Sequence, residues 1–320
     1  MDSTFQDKVA VVTGAGGTLC SVIAKHLASL GCKVVLVGRT CEKLEKVAQS
    51  LDYPDSRALS RVEPCDVTDE AAVNALAARV MAEWGPCRFL INGAGGNNIK
   101  AMPSRLRWCE ADLRGRRAAL SGASPLSSLS PEGALSGEAA LGREAPLDSA
   151  ADSSAAERGF FDIDMEAFKS VLEINTLGTV IPSRAFGLQM AAAGGGAIIN
   201  FGSMNTYRPL TRVAPYAMAK AAIANWTMFF AQYMAPAHVR VNAIAPGFMV
   251  NDRSRKYLCT PDGGLSARGE QVMAHTLMGR FGEADDLLGC VDWLLDDTKS
   301  AFVTGITVPV DGGFLASAGV

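Results

Sequence analysis

Several things are missing from this 320-residue chain. Basic residues do not outnumber acidic ones: Lys and Arg total 30, Asp and Glu 33, and the net charge is −3. No basic stripe interleaved with aromatics runs along it, which argues against a nucleic-acid or anionic-membrane surface. The eight cysteines form no C-x-x-C pair and no Cys/His cluster at zinc spacing, so no metal is expected. No apolar run reaches the length of a membrane span. The opening residues, Met1 to Lys8, are polar and acidic, unlike a signal peptide. Together these absences point to a cytoplasmic protein with reduced thiols. Hydrophobic residues make up 48% of the chain and charged residues 20%, enough apolar material for a substantial core.

What is present is an alternation of short apolar runs with helical patterns. Strands are expected at Lys8 to Thr13, at Lys33 to Val37, at a run ending Cys65-Asp66-Val67, and at Arg88 to Ile91. Helices are expected between them, from Thr18 to Leu30, from Glu42 to Gln49, and from an N-cap at Thr68 to Trp84. Further on come a helix from Met165 to about Met190, a strand over 197–201, a helix over 216–234 and a strand from His238 to Ile244. A last strand, Ile306 to Val310, contains Pro309 and therefore belongs at a sheet edge. Strand–helix alternation of this kind predicts an α/β fold, a doubly wound, seven-stranded parallel sheet of the Rossmann type. Residues 104–158 break the pattern: Ala, Ser, Gly and Arg dominate and no period is sustained. They read as a low-complexity surface insertion in a single domain spanning 1–320, partly disordered, with short helices around Leu106 to Ala119. The 216–234 helix is apolar nearly all round, which predicts packing on the sheet and on a second subunit, giving a homo-oligomer, dimer or tetramer.

The stretch with the most chemistry runs from Ile198 to Lys220. A buried strand ends near Ser203, and a helix opens at Tyr216 with Lys220 four residues on, on the same face. A phenol with a pKa of about 10 is a poor proton carrier near neutrality. A neighbouring ammonium is expected to lower it, and Ser203 is placed to hydrogen-bond an oxygen that gains charge. Tyr, Lys and Ser so arranged suit proton transfer at a carbonyl or alcohol oxygen. The Tyr-x-x-x-Lys spacing alone arises easily by chance; its weight comes from the rest of the chain.

Gly14, Gly16 and Gly17 follow the first strand, where backbone N–H groups and a helix N-terminus receive a pyrophosphate in a doubly wound fold. Asn92-Gly93-Ala94-Gly95 follows the fourth strand, at the topological switch point. Asp66 is placed for an adenine ring. After the second strand, where a carboxylate would bind the ribose of NAD, the chain has Gly38, Arg39 and Thr40. An Arg suits a 2′-phosphate, so NADP(H) is favoured while NAD(H) still fits.

Together, Thr13-Gly14…Gly17, Asp66, Asn92-Gly93-Ala94-Gly95, Asn175, Ser203, Tyr216-x-x-x-Lys220, Asn242 and Pro246-Gly247 resemble the short-chain dehydrogenase/reductase family. The resemblance covers the chain except the insertion. It implies Tyr216 as general acid/base, Ser203 positioning the substrate carbonyl, Lys220 on the nicotinamide ribose and Asn175 holding a relay water. It also implies a cofactor set of the two glycine turns with Thr18, Leu19, Arg39, Asp66, Val67, Tyr216, Lys220, Pro246, Gly247 and Asn251. Thr18 and Cys20 depart from the family, standing where it usually has glycines, and Asn251 stands in place of its usual Thr.

A finer resemblance, in Gly95-Gly96-Asn97-Asn98, Phe160 to Asp164, Arg208 to Thr211, His275 to Gly282 and Val310 to Phe314, is to the branch of D-mannonate oxidoreductases (fructuronate reductases). That implies a sugar-acid substrate, with Asn97, Asn98 and Asn205 for hydroxyls and the lid cations Arg253, Arg255 and Lys256 for a carboxylate. The same cations read equally well as a solvated face. The alternatives are another short-chain reductase, acting on gluconate, a polyol or a 3-oxoacyl group, and a catalytically silent cofactor-binding protein.

Overall fold

Runs of Val and Ile become strands because β-branched side chains suit a pleat packed on both faces. In the computed structural model, which describes residues 4–52, 59–109, 112 and 158–317, with the side chains of residues 252 and 253 outside the description, these runs form one sheet. Its strands are β1 (Val9–Thr13), β2 (Lys33–Gly38), β3 (Ser60–Pro64), β4 (Cys87–Asn92), β5 (Gly196–Phe201), β6 (Val239–Pro246) and β7 (Thr307–Val310). All pair in parallel in the order β3-β2-β1-β4-β5-β6-β7. The chain reverses its direction of winding between β1 and β4, which opens a crevice beyond their carboxyl ends. Pro309 lies on the edge strand, opposite Ala245, as its missing N–H requires.

The helices are α1 (Thr18–Ser29), α2 (Cys41–Ala48), α3 (Glu70–Trp84), α4 (Met165–Ala192), α5 (Ala214–Met234), α6 (Asp252–Leu258), α7 (Ala267–His275) and α8 (Leu288–Leu295). Successive strand residues feed opposite layers. Ala10, Val12, Val34, Leu36, Phe89 and Ile91 pack with α1, α2 and α8. Val9, Val11, Val35, Val37 and Leu90 pack with α3, α4 and α5.

One expectation changes here. Asp69, not Thr68, caps α3: its carboxylate accepts the Ala72 N–H at 3.0 Å, while the Thr68 hydroxyl is drawn to Asp66 at 2.7 Å. Helix α5 is not covered on both sides by its own chain. Ala219, Ile223 and Phe230 are buried on one side, while Met218 (56% exposed) and Tyr233 (71%) face outward. The insertion and its expected short helices fall outside the described residues except for 104–109, 112 and 158. Its two ends meet: the Ser104 N–H donates to the Arg158 carbonyl at 3.0 Å, and the Arg158 N–H donates to Ser104 Oγ at 2.8 Å. Among the described residues no helix is long and apolar enough to cross a membrane, and no group of three potential metal ligands occurs. All eight cysteines are free.

Candidate active site

The floor of the crevice is built from a polar network inside the sheet. Asn92, the last residue of β4, donates through Nδ2 to Ser183 Oγ and to Asn200 Oδ1, both at 2.9 Å. Asn200 donates to Thr227 Oγ1 at 3.0 Å. All four side chains are buried, so the network ties β4, β5, α4 and α5 together where hydrogen bonds are undiluted by water. Asn92 therefore sits one residue below the cofactor loop, with its side chain turned into the core.

Above it the two glycine turns touch. Thr13 Oγ1 accepts the N–H groups of Gly93 (3.1 Å) and Ala94 (3.2 Å). Gly14 adopts φ +67°, and a Cβ there would lie 2.8 Å from the Gly93 carbonyl, so only glycine fits. Cys20 fills the space of the missing family glycine: its Sγ would lie 2.0 Å from a Cβ on Gly93. The thiol is buried, and burial pushes its pKa up to about 12, so it is an inert packing group. Helix α1 starts after Gly17 with no side-chain cap and no acidic residue in its first turn. Thr18 is exposed there and Leu19 packs partly against the core. That N-terminus leaves its first N–H groups for an anion and fits a pyrophosphate.

Arg39 is exposed after β2. Asp66 keeps a lowered pKa because the Thr68 N–H and hydroxyl donate to it and Arg39 lies nearby. Val67 is buried behind it. The structure thus brings Arg39 and Asp66 to one rim, where an adenosine would lie.

The residues expected to transfer the proton come from three elements. Ser203 follows β5, and its hydroxyl lies close enough to the Tyr216 phenol at the start of α5 to oppose the rise of the phenol's pKa. Lys220, one turn on, is 4% exposed. Its ammonium donates to the Phe201 carbonyl at 2.6 Å and lies 5.5 Å from the centre of the Tyr216 ring. Asn175, fully buried in α4, donates to the carbonyls of Gly96 (2.7 Å) and Val171 (2.8 Å) and accepts the Gly96 N–H at 3.2 Å. It clamps the loop after β4 in both directions. That occupies both amide hydrogens and leaves one lone pair for a water. Gly95 is pinned between them: a Cβ would lie 2.5 Å from Asn175 Oδ1 and 3.6 Å from Lys220 Nζ.

One electrostatic expectation is reversed. Burial pushes the Tyr216 phenol up, opposed by the Ser203 hydroxyl, and Lys220 does not lower it. Burial pushes Lys220 itself down to about 8. With its ammonium turned to the Phe201 carbonyl, desolvation outweighs the attraction of the two groups.

The residues expected to meet substrate are mostly engaged elsewhere. Asn97 Oδ1 accepts the Asn98 N–H at 2.9 Å, and Asn98 Oδ1 accepts the Lys100 N–H at 3.0 Å. Asn205 donates to Ser203 Oγ at 3.3 Å and accepts the Leu210 N–H at 2.8 Å, so it positions Ser203. Asn251 Oδ1 accepts the Ser254 N–H at 3.0 Å at the start of α6. Arg255 is exposed, Lys256 lies 4.7 Å from the centre of the Tyr257 ring, and the Arg253 side chain lies outside the described residues. Pro246 ends β6, and the Gly247 N–H donates to the Val310 carbonyl at 2.9 Å. Residues 247–249 and 309–313, with Thr276, Arg280 and Asp286, line a cavity of about 410 Å³ beyond β6 and β7.

Sequence reasoning passed over Arg212, in the loop between Ser203 and Tyr216. Its φ is +69°, and its Nε is buried without a hydrogen-bond partner. A lone Arg in a short loop gives no sequence signal of either property.

A doubly wound sheet with this cluster at its switch point is the architecture of a dinucleotide-dependent oxidoreductase. The comparisons agree. Residues 8–108 match the short chain dehydrogenase family model, and residues 146–315 match the related model described as enoyl-(acyl carrier protein) reductase. The chain belongs to the short chain dehydrogenase/reductase family. It is 36% identical to the uncharacterized oxidoreductase UxuB of Bacillus subtilis, over 98% of this chain and 96% of that one. It is 30% identical to the cis-4-hydroxycyclohexanecarboxylate dehydrogenase of Sinomonas cyclohexanicum, over 99% of this chain and 100% of that one. A solved structure from Haemophilus influenza, provisionally named a D-mannonate oxidoreductase and holding NAD, superposes with a TM-score of 0.80 at 33% identity, covering 98% of this chain and 97% of that one.

Proposed function

We propose that this oxidoreductase interconverts a ketone and a secondary alcohol on a sugar acid of the D-fructuronate/D-mannonate type, with Tyr216 as general acid/base. The observation that carries the reading is the convergence of the Ser203 and Tyr216 hydroxyls, with the Lys220 ammonium 5.5 Å from the Tyr216 ring centre, beside two glycine turns. A nicotinamide bound there supplies or accepts the hydride. In reduction the Tyr216 phenol gives its proton to the nascent alkoxide, and in oxidation it takes the proton back. The Ser203 hydroxyl, oriented by Asn205, donates to the same oxygen. The raised pKa of Tyr216 keeps the phenol protonated near neutrality, which suits reduction. Lys220 holds the nicotinamide ribose, and Asn175 holds the loop that forms the floor. Two relatives named above carry names of carboxylate-bearing alcohols, which supports an acid substrate.

Arg39 supports NADP(H), while the NAD bound to the Haemophilus structure supports NAD(H) as a second cofactor. The exposed apolar side of α5, with Met218, Met228, Phe229 and Tyr233, supports a homo-oligomer, dimer or tetramer. The absence of a membrane-length helix among the described residues is compatible with the cytoplasmic setting read from the sequence, and the chain reads as one domain carrying an insertion.

A panel of uronates, hexonates, neutral polyols and 3-oxoacyl thioesters, each with NAD(H) and NADP(H), tests this by the absorbance of reduced nicotinamide. Turnover is expected on uronate and hexonate. Turnover confined to neutral polyols or thioesters transfers the site to another short-chain reductase activity. No turnover on any member favours a silent cofactor-binding protein. Light scattering of the purified chain reads the subunit number.

A further inference from the structure

We propose that Arg212 is the residue that recognises the substrate's carboxylate; this rests on the reading of the chain as a sugar-acid reductase. Two local penalties fall on this one residue. Arg212 holds φ +69°, a left-handed conformation that residues with a Cβ occupy only when their surroundings impose it. Its Nε is buried with no partner, although a buried polar group is normally hydrogen-bonded. Among the described residues Arg212 makes no hydrogen bond or ion pair. Other arginines are engaged. Arg208 donates to the Ser317 carbonyl at 3.4 Å, and Arg280 grips Asp286 through two bonds of 2.7 Å. Arg105 also has a buried, partnerless Nε, but its Nη2 pairs with Asp112 at 2.5 Å.

The position gives the penalties a use. The loop that carries Arg212 is anchored to the proton-transfer site at both ends. Leu210 donates to Asn205, which donates to Ser203, and Tyr216 follows four residues after Arg212. Four residues span at most about 14 Å between Cα atoms, and both side chains are long, so a guanidinium on this loop has the reach to meet a group bound beside the phenol. No acidic residue lies in the first turn of α5 to neutralise it. A guanidinium presents a planar fork matched to a carboxylate. A substrate carboxylate would satisfy the idle Nε–H and repay the cost of keeping it buried. Strain held beside a reactive centre is where such devices occur.

The test uses the purified full-length enzyme and the variants Arg212→Gly and Arg212→Lys. Glycine tolerates the left-handed backbone, so Arg212→Gly relieves the strain and folds. The readouts are kcat and KM for D-mannonate and for the neutral D-mannitol, dinucleotide Kd by fluorescence titration, and Tm. For Arg212→Gly the expected result is a KM for D-mannonate raised about 10–100-fold, with mannitol kinetics and dinucleotide Kd unchanged. Its Tm rises by about 1–2 °C. Arg212→Lys restores part of the affinity, as a point charge without the fork. An unchanged KM for D-mannonate in Arg212→Gly overturns the assignment. So does an equal loss on both substrates with a lowered Tm, which marks a purely structural role. Failure of the wild type to act on any carboxylate-bearing substrate overturns the sugar-acid reading and this inference with it. A wild type that prefers D-mannonate while Arg212→Gly keeps that preference overturns this inference alone.

Discussion

The floor of the cleft and its rim follow opposite rules. On the floor, Asn175, Ser203 and Lys220 are buried, and each is tied within the chain: Asn175 and Lys220 to backbone carbonyls, Ser203 to Asn205. On the rim, Asn97, Asn98 and Asn251 spend their side chains on turns and a helix start, and Arg255 is exposed. The difference teaches that the residues proposed for the reaction are side chains with no alternative position. Substrate choice is left to loops that first have to hold themselves together. A rigid floor is also what preorganised catalysis requires.

That contrast is open to a graded set of substitutions. The largest effect is expected from Tyr216→Phe, which removes the proton carrier. Its kcat should fall about 10²–10⁴-fold with dinucleotide Kd unchanged by fluorescence titration, and normal ketone reduction by this variant would sink the assignment. Gly95→Ala comes next. Its methyl would press on Asn175 Oδ1 at 2.5 Å, and overpacking of this kind costs about 1–3 kcal/mol. Denaturant melts should show that loss together with weaker dinucleotide binding; an unchanged melt would mean that the floor is softer than described.

Lys220→Met separates activity from stability. Lys220 releases its proton at about 8 in the fold against 10.5 unfolded. Folding is therefore penalised below pH 8, and the penalty fades as pH rises from 8 to 10.5. The shift corresponds to a penalty on the order of 3 kcal/mol below pH 8. Turnover should be lost while the variant is more stable than wild type by about 1–2 kcal/mol at pH 7, after the lost bond to Phe201 is set against that penalty. The gap should close as pH approaches 10.5; a gap that widens with pH would contradict the direction of the shift.

The rim should respond less. Asn251→Ala removes a helix-start acceptor worth about 1 kcal/mol and should raise the dinucleotide Kd only severalfold. Smallest of all, Arg255→Ala removes an exposed cation and should change KM less than about twofold. A tenfold rise there would return carboxylate recognition to the lid and weaken the contrast between floor and rim.

Much of the fold was legible because it rests on local periodicity. The Val-rich runs marked the strands, and the Gly-rich turn after the first of them marked the crevice. Pro309 marked the edge strand. The N-cap of α3 was misread because Thr68 and Asp69 are both good caps. The choice between them was made by Asp66, which holds the Thr68 hydroxyl. The direction of the Tyr216 shift was misread because spacing on a helix gives proximity to Lys220 but not burial. The ammonium spends its hydrogen bond on the Phe201 carbonyl.

What the sequence by itself determined is the order of strands and helices, the glycine turns and the shared helical face of Tyr216 and Lys220. Each depends on residues a few positions apart. Only the tertiary structure decided that Asn92 belongs to a core network with Asn200, 108 residues away, that Asn175 clamps Gly96, 79 residues away, and that Arg212 is left with a buried, idle Nε–H. Those outcomes depend on which distant groups exclude water from one another. No local pattern of residue types carries that information.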